Sequence, residues 1–566
     1  MASLIKDKLI PKDYSAWYWN FIPHERIVDD YPEKLDDQSI YSTSSETVDK
    51  FEYRDEANRP WWKFFDEYEY RFNKQTRSQK SWWRIYDKNM SASEKKLVFK
   101  LDLQIVLFAI MSYWSKNLDQ ANISNAYVSG MKEDLNMQGN DFSNAQALFT
   151  AGNVIFQVIW MYLFPRVPMH LAFFSTDLLW SIVTILISTV NTPSQLKALR
   201  FLVGAFESGY FIQIHYLLGS CGQMLGTLTS GLVQASVFQN LNGVRGRAGW
   251  RWMFLVDGSA TAVIAFFALY LVPGTPYKCC SLFLTDDEIR LARSRLIKAN
   301  IKPPSKTPPP FFNKALWKKI IFDWRIYVLA ILDYLFWNAI NTSYSNFALW
   351  LKSLKRYDIP KINRYTSIPP ALGIVWILSV CGSADILKSR YFAIFWAEIF
   401  VFMGNVILAK WDVAEGALWY AFMISYFGIS VSSVIYGWLN DITRHDGQER
   451  SIILCIVNIF ANQSTAWTLP MVFRTSSAPR YHQGYVFVAG HSAALMIWCF
   501  VTLFFYKRQE KKDAKGNGII LYNSKTGEIP PEVQKRLNEK SEEEISDDHH
   551  SLNKNEGNVE VNSIHT

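Results

Sequence analysis

About a dozen apolar stretches, each near twenty residues long, occupy the chain between about residues 102 and 506. A helix that rises about 1.5 Å per residue needs roughly twenty residues to cross the hydrocarbon core of a bilayer, which is about 30 Å thick. The sequence therefore predicts an all-α integral membrane protein with lipid as its main solvent. Because lipid makes polar groups costly to keep, the few polar side chains inside these stretches are the best candidates for functional residues. The predicted spans are roughly 103–124, 142–164, 170–190, 196–218, 220–240, 252–272, 325–348, 363–383, 391–410, 416–438, 452–472 and 485–506.

The spacing of the spans divides the chain into two halves of about six spans each, joined by a polar segment of about fifty residues. In that segment Thr285–Glu288 has the pattern of a helix start, and the proline-rich run over 303–310 indicates a semi-rigid linker. This layout predicts a major facilitator fold, with about 12 transmembrane helices in two six-helix halves that rock about a central site. The expected regions are 1–99 (cytosolic N-terminal region), 100–272 (first half), 273–323 (cytosolic linker), 324–508 (second half) and 509–566 (disordered tail).

Charge and cysteine content narrow the class of protein. The net charge is +8, and Lys and Arg flank the spans as they do in cytoplasmic loops, so we expect both termini in the cytosol and no nucleic-acid partner. The six cysteines show no metal-ligand spacing, which predicts small buried hydrophobic residues and no metal site. The chain contains no Walker loop and no hydrolase or zinc-protease motif. It is therefore predicted not to be an enzyme, not to be driven by ATP and to need no cofactor.

The fourth span carries the most informative charges, Arg200 and Glu207. Seven residues make almost two helical turns, so the two side chains share a face and lie about 10 Å apart along the axis. A guanidinium there can hold an organic anion through two hydrogen bonds, and a carboxylate shielded from water can carry a proton. Arg200 is thus predicted to bind substrate and Glu207 to couple protons. The alternatives are a structural ion pair or an Arg side chain that reaches to the membrane interface.

Polar residues in the first and second spans come at helical spacing. Asp119 and Asn122 are three residues apart and face the same way, which predicts proton coupling for Asp119 and substrate contact for Asn122. The alternative for Asp119 is that it holds a neighbouring helix. In the second span Asn153 and Gln157 are four residues apart, and interhelical hydrogen bonding is the better interpretation of that pair.

Span seven carries Asp333, Trp337, Asn338 and Asn341, of which the first, second and fourth lie along one face. An acid, an indole and amides can line a polar pathway, so Trp337, Asn338 and Asn341 are predicted to contact substrate. The alternative is a Trp packed in the bundle with amides that tie helices together. Glu398 in span nine is a lone acid in an apolar run, which either titrates or pairs with a cation of a neighbouring helix.

A charged cluster is predicted to act as a cytoplasmic gate whose ion pairs break when the halves rock. Its members lie at the ends of spans eight to eleven, and the alternative is an ordinary solvated set of loops. They are Asp385, Arg390, Asp441 and Arg450.

Several of these segments together resemble the fungal allantoate-permease family, the anion:cation symporter branch of the major facilitator superfamily. The resemblance covers about 100–508 and rests on Leu118-Asp119 with Asn122, Arg200 to Glu207, Gly249–Trp252 and Ala478-Pro479-Arg480. It implies symport of vitamins, ureides or other small organic anions with protons. A narrower resemblance at the chain ends, to one yeast member, rests on segments such as Tyr53–Glu56 and Leu521–Lys525 and implies a sulfur-containing amino-acid derivative.

The sequence departs from the family pattern at two places. The residue after Asp119 is Gln120, where the family usually has Arg, so one positive charge is lost. The charged loop expected between spans four and five is about a dozen residues short, which leaves a tight turn at Gly219–Gly222. The main expectation is a monomeric proton-coupled symporter of a small organic anion in the plasma membrane, whose partners are the anion, protons and the lipid bilayer. The alternative is a transport-deficient nutrient sensor or an inactive copy.

Overall fold

The structure is a computed structural model that describes most of the chain between residues 51 and 535. The described residues are 23, 25, 26, 28, 51–73, 90–138, 141–163, 166–209, 229, 233, 236, 237, 240–298, 314–340, 344–357, 361, 365–444, 447–473, 477, 479–527, 529–535 and 538. The predicted fifth span and the expected turn at Gly219–Gly222 lie almost wholly outside this set. The chain forms two compact units, one of residues 1–35 and 89–504 and one of residues 36–88 and 505–566.

The first half of the larger unit is helical wherever the predicted spans are described. Its helices are α1 (Ala92–Ala126), α2 (Asp141–Leu163), α3 (Met169–Ile187), α4 (Pro193–Glu207) and α5 (Gly249–Leu271). Helix α1 contains predicted span one, α2, α3 and α5 match spans two, three and six to within about three residues at each end, and α4 matches the fourth span as far as Glu207. Local sequence sets where α4 begins, because Thr192 accepts a hydrogen bond from the amide of Gln195 and Pro193 suits the first helical turn.

The described part of the polar segment between the halves contains both strands and helices. It contains the hairpin of β2 (Gly274–Thr275) and β3 (Lys278–Cys279), then α6 (Asp286–Lys298) and α7 (Lys314–Ile321). The predicted helix start is confirmed: the Glu288 amide donates to Thr285 Oγ1 at 3.3 Å and Glu288 Oε2 accepts from the Thr285 amide at 3.0 Å. Arg26, from near the amino terminus, donates to the Leu284 carbonyl at 2.5 Å and forms an ion pair with Asp286.

The second half begins at α8, whose first turn is capped by Asp323. Its helices account for predicted spans seven to twelve, and span ten is divided into three helical pieces. They are α8 (Trp324–Ala339), α9 (Tyr344–Ser353), α10 (Ile368–Leu387), α11 (Arg390–Lys410), α12 (Glu415–Ile424), α13 (Phe427–Ser430), α14 (Ser432–Ile442), α15 (Gly447–Val472) and α16 (His482–Asp513). Among the described residues, seven helices are long and apolar enough to cross a membrane.

Glycine allows α2 and α4 to approach each other closely. A Cβ atom added to Gly152 would collide with the Phe201 carbonyl oxygen, and one added to Gly204 would collide with the Phe149 carbonyl oxygen. Small residues at a helix crossing let two backbones meet, which is the usual way for helices to gain contact in lipid. This crossing sets the position of α4 and therefore of its charged residues.

The smaller unit joins residues near the two ends of the chain. β1 (Glu52–Asp55) pairs in parallel with β4 (Ile519–Tyr522), so the disorder expected from residue 509 onward does not hold for β4. At its centre the buried Glu69 accepts hydrogen bonds from Arg59 at 2.8 Å and from Lys507 at 2.5 Å. Burial raises the pKa of Glu69, but these two cations outweigh burial and hold that pKa below its usual range.

Candidate substrate and proton site

The first half contains a buried ion pair between its first and fourth membrane helices. Arg200 on α4 places Nη1 3.3 Å from Asp119 Oδ2 on α1, and both side chains are almost completely shielded, at 3% and 0% exposure. The face of the Phe149 ring lies 4.6 Å from the Arg200 guanidinium, and Thr184 donates a hydrogen bond to Asp119 at 3.4 Å. Arg200 Nε is also buried and has no hydrogen-bond partner among the residues that the structure describes. The guanidinium therefore keeps donors that a ligand can use.

The side chain of Glu207 contacts α1, as the side chain of Arg200 does. The position of Glu207 two turns after Arg200 on α4 predicts this shared face. Glu207 Oε1 accepts a hydrogen bond from Gln120 at 2.7 Å and lies 3.6 Å from Lys116 Nζ. Glu207 is 1% exposed. Lys116 was not among the predicted site residues, although a cation one turn before Asp119 in an apolar span is a detectable signal. It supplies a positive charge near Gln120, the position at which the allantoate-permease resemblance predicts an arginine.

The structure adds two acids that were not predicted, Asp257 and Asp177, and each is hydrogen-bonded to a residue of α1. Asn122 donates to Asp257 Oδ2 on α5 at 2.9 Å, so Asn122 is held within the helix bundle by an acid of the sixth span. Asp177 on α3 accepts a hydrogen bond from Ser112 at 3.2 Å. Both acids are buried. Each is a lone acid in an apolar span, so the pattern that identified Glu398 would also have found them.

Together these side chains place one paired guanidinium among several buried carboxyl groups. Such a cluster can exchange an internal carboxylate for the carboxylate of a ligand, because Arg binds both through the same donors. It can also hold a proton on an acid that no longer has a charged partner. The predicted roles of Arg200, Glu207, Asp119 and Asn122 remain predictions, but the four side chains lie inside the protein and not against lipid.

The polar residues predicted in span seven separate into two environments. Trp337 Nε1 donates to the Tyr436 hydroxyl on α14 at 2.9 Å, and Asp333 interacts electrostatically with the same Tyr436 side chain. Asn338 points instead to α15, where it donates to Ser464 Oγ at 2.9 Å. Trp337 and Asn338 therefore serve different contacts, and their roles in substrate binding stay predictions. Asn341 lies outside the described residues.

The predicted gate is partly assembled. Arg390 at the start of α11 forms an ion pair with Asp441 at the end of α14, and Asp385 interacts electrostatically with Arg390. Among the described residues, no ion pair of this cluster includes Arg450. Its neighbour Glu449, which was not predicted, accepts from Lys319 at 2.6 Å and also pairs with Arg325.

Helices α2 and α15 bring the two halves into direct contact. Gln157 Nε2 on α2 donates to Asn458 Oδ1 on α15 at 3.0 Å, which confirms that Gln157 makes an interhelical hydrogen bond. Cys455, one turn before Asn458, places its thiol 3.9 Å from the Gln157 carbonyl oxygen. We call the Gln157–Asn458 hydrogen bond the inter-half contact.

Buried charges between membrane helices, in two bundles that contact each other, are typical of a multi-pass membrane transporter. Comparison with known proteins specifies the class. Residues 106–469 match the sequence profile of the Major Facilitator Superfamily. The fold is similar to that of the proton:xylose symporter XylE, with a TM-score of 0.55 at 13% identity over 71% of this chain and 95% of that one.

The sequence also matches named fungal transporters over most of its length. A vitamin H transporter of Saccharomyces cerevisiae is 39% identical over 515 residues, 87% of this chain and 86% of that protein. A pantothenate transporter of Schizosaccharomyces pombe is 31% identical over 413 residues, 69% of this chain and 79% of that protein. The chain therefore belongs to the Major Facilitator Superfamily and is a secondary transporter of small organic substrates.

Proposed function

We propose that the protein is a proton-coupled symporter that brings a small organic carboxylate into the cell across the plasma membrane, with both termini in the cytosol. Vitamin H, which is biotin, and pantothenate are both carboxylic acids, so the relatives' names support this class of substrate. A biotin-like monocarboxylate is the first candidate, because the vitamin H transporter is the more similar of these two relatives. The ureide or sulfur-containing amino-acid derivative that the allantoate-permease resemblance implies would be alternative cargoes.

The proposal rests on the hydrogen bonding of the buried Arg200 guanidinium. Its guanidinium is buried and contacts Asp119 through one nitrogen at 3.3 Å, whereas Nε has no partner within the described part of the chain. A planar guanidinium can form two parallel hydrogen bonds with a carboxylate, and this geometry is not used by Asp119. The substrate carboxylate would complete it.

Proton coupling follows from charge balance at this pair. A proton that binds to Asp119 converts its carboxylate to a neutral carboxyl group and removes the charge that Arg200 had paired. The substrate carboxylate then takes that place, so the net charge of the site is the same before and after loading. A monocarboxylate would therefore enter with one proton and without net movement of charge.

Glu207 is the second acid assigned to proton coupling. It lies next to Lys116 at 3.6 Å and shares its face of α4 with Arg200, two turns away. A proton released from Asp119 when the substrate leaves would have Glu207 as a nearby acceptor in the same half. Asn122, Trp337, Asn338 and Asn341 are proposed to contact the rest of the substrate, and the Arg390–Asp441 pair to close the cytosolic gate with Asp385 and Arg450.

Purified protein in liposomes with an imposed pH gradient tests this function. We expect labelled biotin to accumulate when the outside is acidic, and unlabelled biotin to compete for uptake. Biotin amide differs from biotin only in having a neutral amide for the carboxylate, and we expect it not to compete. Competition by the amide as strong as that by the acid would show that Arg200 does not recognise a carboxylate. Accumulation that is the same without the pH gradient would exclude proton coupling.

A further inference from the structure

Three large aromatic side chains are exposed on one short turn of the smaller unit. Trp61–Phe65 forms a single turn of 3-10 helix, which we call the aromatic turn, and Trp61, Trp62 and Phe65 are 74%, 61% and 42% exposed. The ring of Trp61 meets those of Trp62 and Phe65 edge to face, with ring centres 6.3 Å and 6.1 Å away. The three rings therefore form one continuous patch, and an exposed patch of large apolar rings indicates a surface with a binding partner.

The smaller unit holds the aromatic turn by its backbone. Lys507 Nζ donates to the carbonyl oxygen of Phe64 at 3.1 Å and also to that of Lys63, and it forms an ion pair with the buried Glu69 at 2.5 Å. Lys507 itself is only 5% exposed. These bonds use main-chain atoms of the turn, so its position does not depend on the exposed rings. Substitution of those rings should therefore leave the fold of the turn in place.

The aromatic turn is attached where the last membrane span ends. Lys507 directly follows Tyr506, the last residue of predicted span twelve, within the continuous helix α16. The other contacts of α16 with the amino-terminal part of this unit come later: Lys511, four residues or about 6 Å further along the helix, pairs with Glu56. The turn is thus bonded to the first residue beyond the apolar span, which is the level at which lipid headgroups begin.

The composition of the patch favours lipid over protein as its partner. The side chain of Lys63 is exposed on the same turn, and Lys is depleted from the centres of protein interfaces. Trp and Lys are instead typical of membrane interfaces, where an indole places its ring among acyl chains and an ammonium group attracts anionic headgroups. The indole N–H groups of Trp61 and Trp62 donate to no residue that the structure describes, so both can bond to headgroup oxygens.

We propose that the aromatic turn is a membrane anchor. Trp61, Trp62 and Phe65 insert into the interface of the bilayer that α16 crosses, on the side where α16 continues past Tyr506, and Lys63 binds the headgroups of anionic phospholipids. The anchor fixes the carboxyl end of α16 and the smaller unit at the membrane surface. This inference depends on neither the substrate nor proton coupling, and its test needs neither.

Fluorescence quenching in nanodiscs tests whether lipid covers the patch. The full chain is placed in discs of phosphatidylcholine and phosphatidylserine that hold one copy each, so both faces of the bilayer are open to solution. The six native cysteines are replaced by alanine, and Trp62→Cys carries the fluorophore NBD. Two quenchers are compared: phospholipids with a nitroxide at either of two depths in the acyl chain, and iodide in the water.

We expect the label at position 62 to be quenched by the nitroxide lipids, to be protected from iodide, and to lie about 5–10 Å into the boundary between headgroups and acyl chains. Adding Trp61→Ser and Phe65→Ser should reduce quenching by lipid and raise quenching by iodide, because the remaining rings of the patch are lost. Phe65→Cys with the same label should match the result for position 62, so it decides the question if Trp62→Cys does not fold.

Lys525→Cys with the same label is the matched control, because Lys525 is an exposed residue of the same unit beyond β4. It should be open to iodide and insensitive to the nitroxide lipids. The proposal is overturned if the labels at positions 62 and 525 respond alike to both quenchers. Protection from iodide at position 62 without quenching by lipid also overturns it, because protein and not lipid would then cover the patch. Discs without phosphatidylserine should give weaker quenching by lipid, and equal quenching would contradict the role given to Lys63.

Discussion

Removing the charge of Arg200 should destabilise the protein by a predictable amount. The pair with Asp119 is 3.3 Å long and almost completely shielded, so loss of one partner leaves a buried charge without its counterion. Breaking such a buried pair costs roughly 3–5 kcal/mol. In Arg200→Gln, Asp119 keeps only the hydrogen bond from Thr184 at 3.4 Å, which offsets little of that cost.

A double variant that combines Arg200→Gln with Asp119→Asn separates the structural role of the ion pair from its role in transport. Asp119→Asn alone leaves Arg200 unpaired, although the Phe149 ring at 4.6 Å contributes about 1–2 kcal/mol through its cation–π contact. Neutralising both partners leaves neither of them as an unpaired buried charge, so the double variant should be less destabilised than the sum of the single variants by about 2–4 kcal/mol. If the pair were only structural, the double variant would also recover transport.

Thermal unfolding of the purified variants in detergent measures their stability, and biotin uptake in liposomes measures their transport. We expect the double variant to recover stability but not uptake, because it has no guanidinium for the substrate and no acid for the proton. Uptake near the parent level in the double variant would refute the role of this pair in transport. Destabilisations that simply add would refute the ion pair itself.

Other side chains give sharper single tests. Glu207→Gln should abolish accumulation of substrate against a gradient but spare exchange of labelled for unlabelled substrate. Glu398→Gln is the control, which should keep both activities. Unchanged accumulation in Glu207→Gln would remove Glu207 from the coupling role. Gly204→Val should lower the melting temperature markedly because its side chain meets the backbone of α2, whereas Gly382→Ala, which has open space around it, should have little effect. In the smaller unit, Glu69→Gln leaves two cations unpaired and should speed amide hydrogen exchange in β1 and β4, by loss of roughly 3 kcal/mol. Because the folded-state pKa of Glu69 is lowered, its stabilisation is present above its unfolded pKa and is lost as the pH falls, so exchange in the parent should approach that of the variant in acid.

The membrane helices could be predicted because their signals are local. Twenty apolar residues must be helical in lipid, where every backbone group needs an internal partner, so the length and position of each span follow from composition. Caps such as Thr192 and the Thr285–Glu288 pair are likewise local. The interhelical role of Gln157 was predictable as a type of contact, since an amide in lipid needs a hydrogen bond. The sequence did not predict that Asn458 is the partner of Gln157 in this hydrogen bond.

The hydrogen-bond and ion-pair partners of these side chains could not be predicted from the sequence. They depend on how helices that are far apart in sequence are placed side by side. From the sequence, Gln120 in place of an expected arginine indicates the loss of one positive charge. In the folded protein Lys116, one turn earlier, forms an ion pair with Glu207 and so provides a positive charge in the same region. Asn338 and Trp337 are adjacent in sequence but bind to different helices. Nothing in the sequence distinguishes Tyr436 from the many other aromatic residues of the spans. The pairing of β1 with β4 joins segments more than 450 residues apart and carries no local signal.

The two halves use the same arrangement with different chemistry. In each half an acid on the first membrane helix interacts with a residue on the fourth: Asp119 forms an ion pair with Arg200, and Asp333 interacts electrostatically with Tyr436. A guanidinium can leave its acid and pair with another anion, whereas a phenol can only donate or withdraw one hydrogen bond. Under the proposed function, the first half can therefore exchange an internal carboxylate for the carboxylate of the substrate, and Tyr436 in the second half cannot take part in an exchange of that kind.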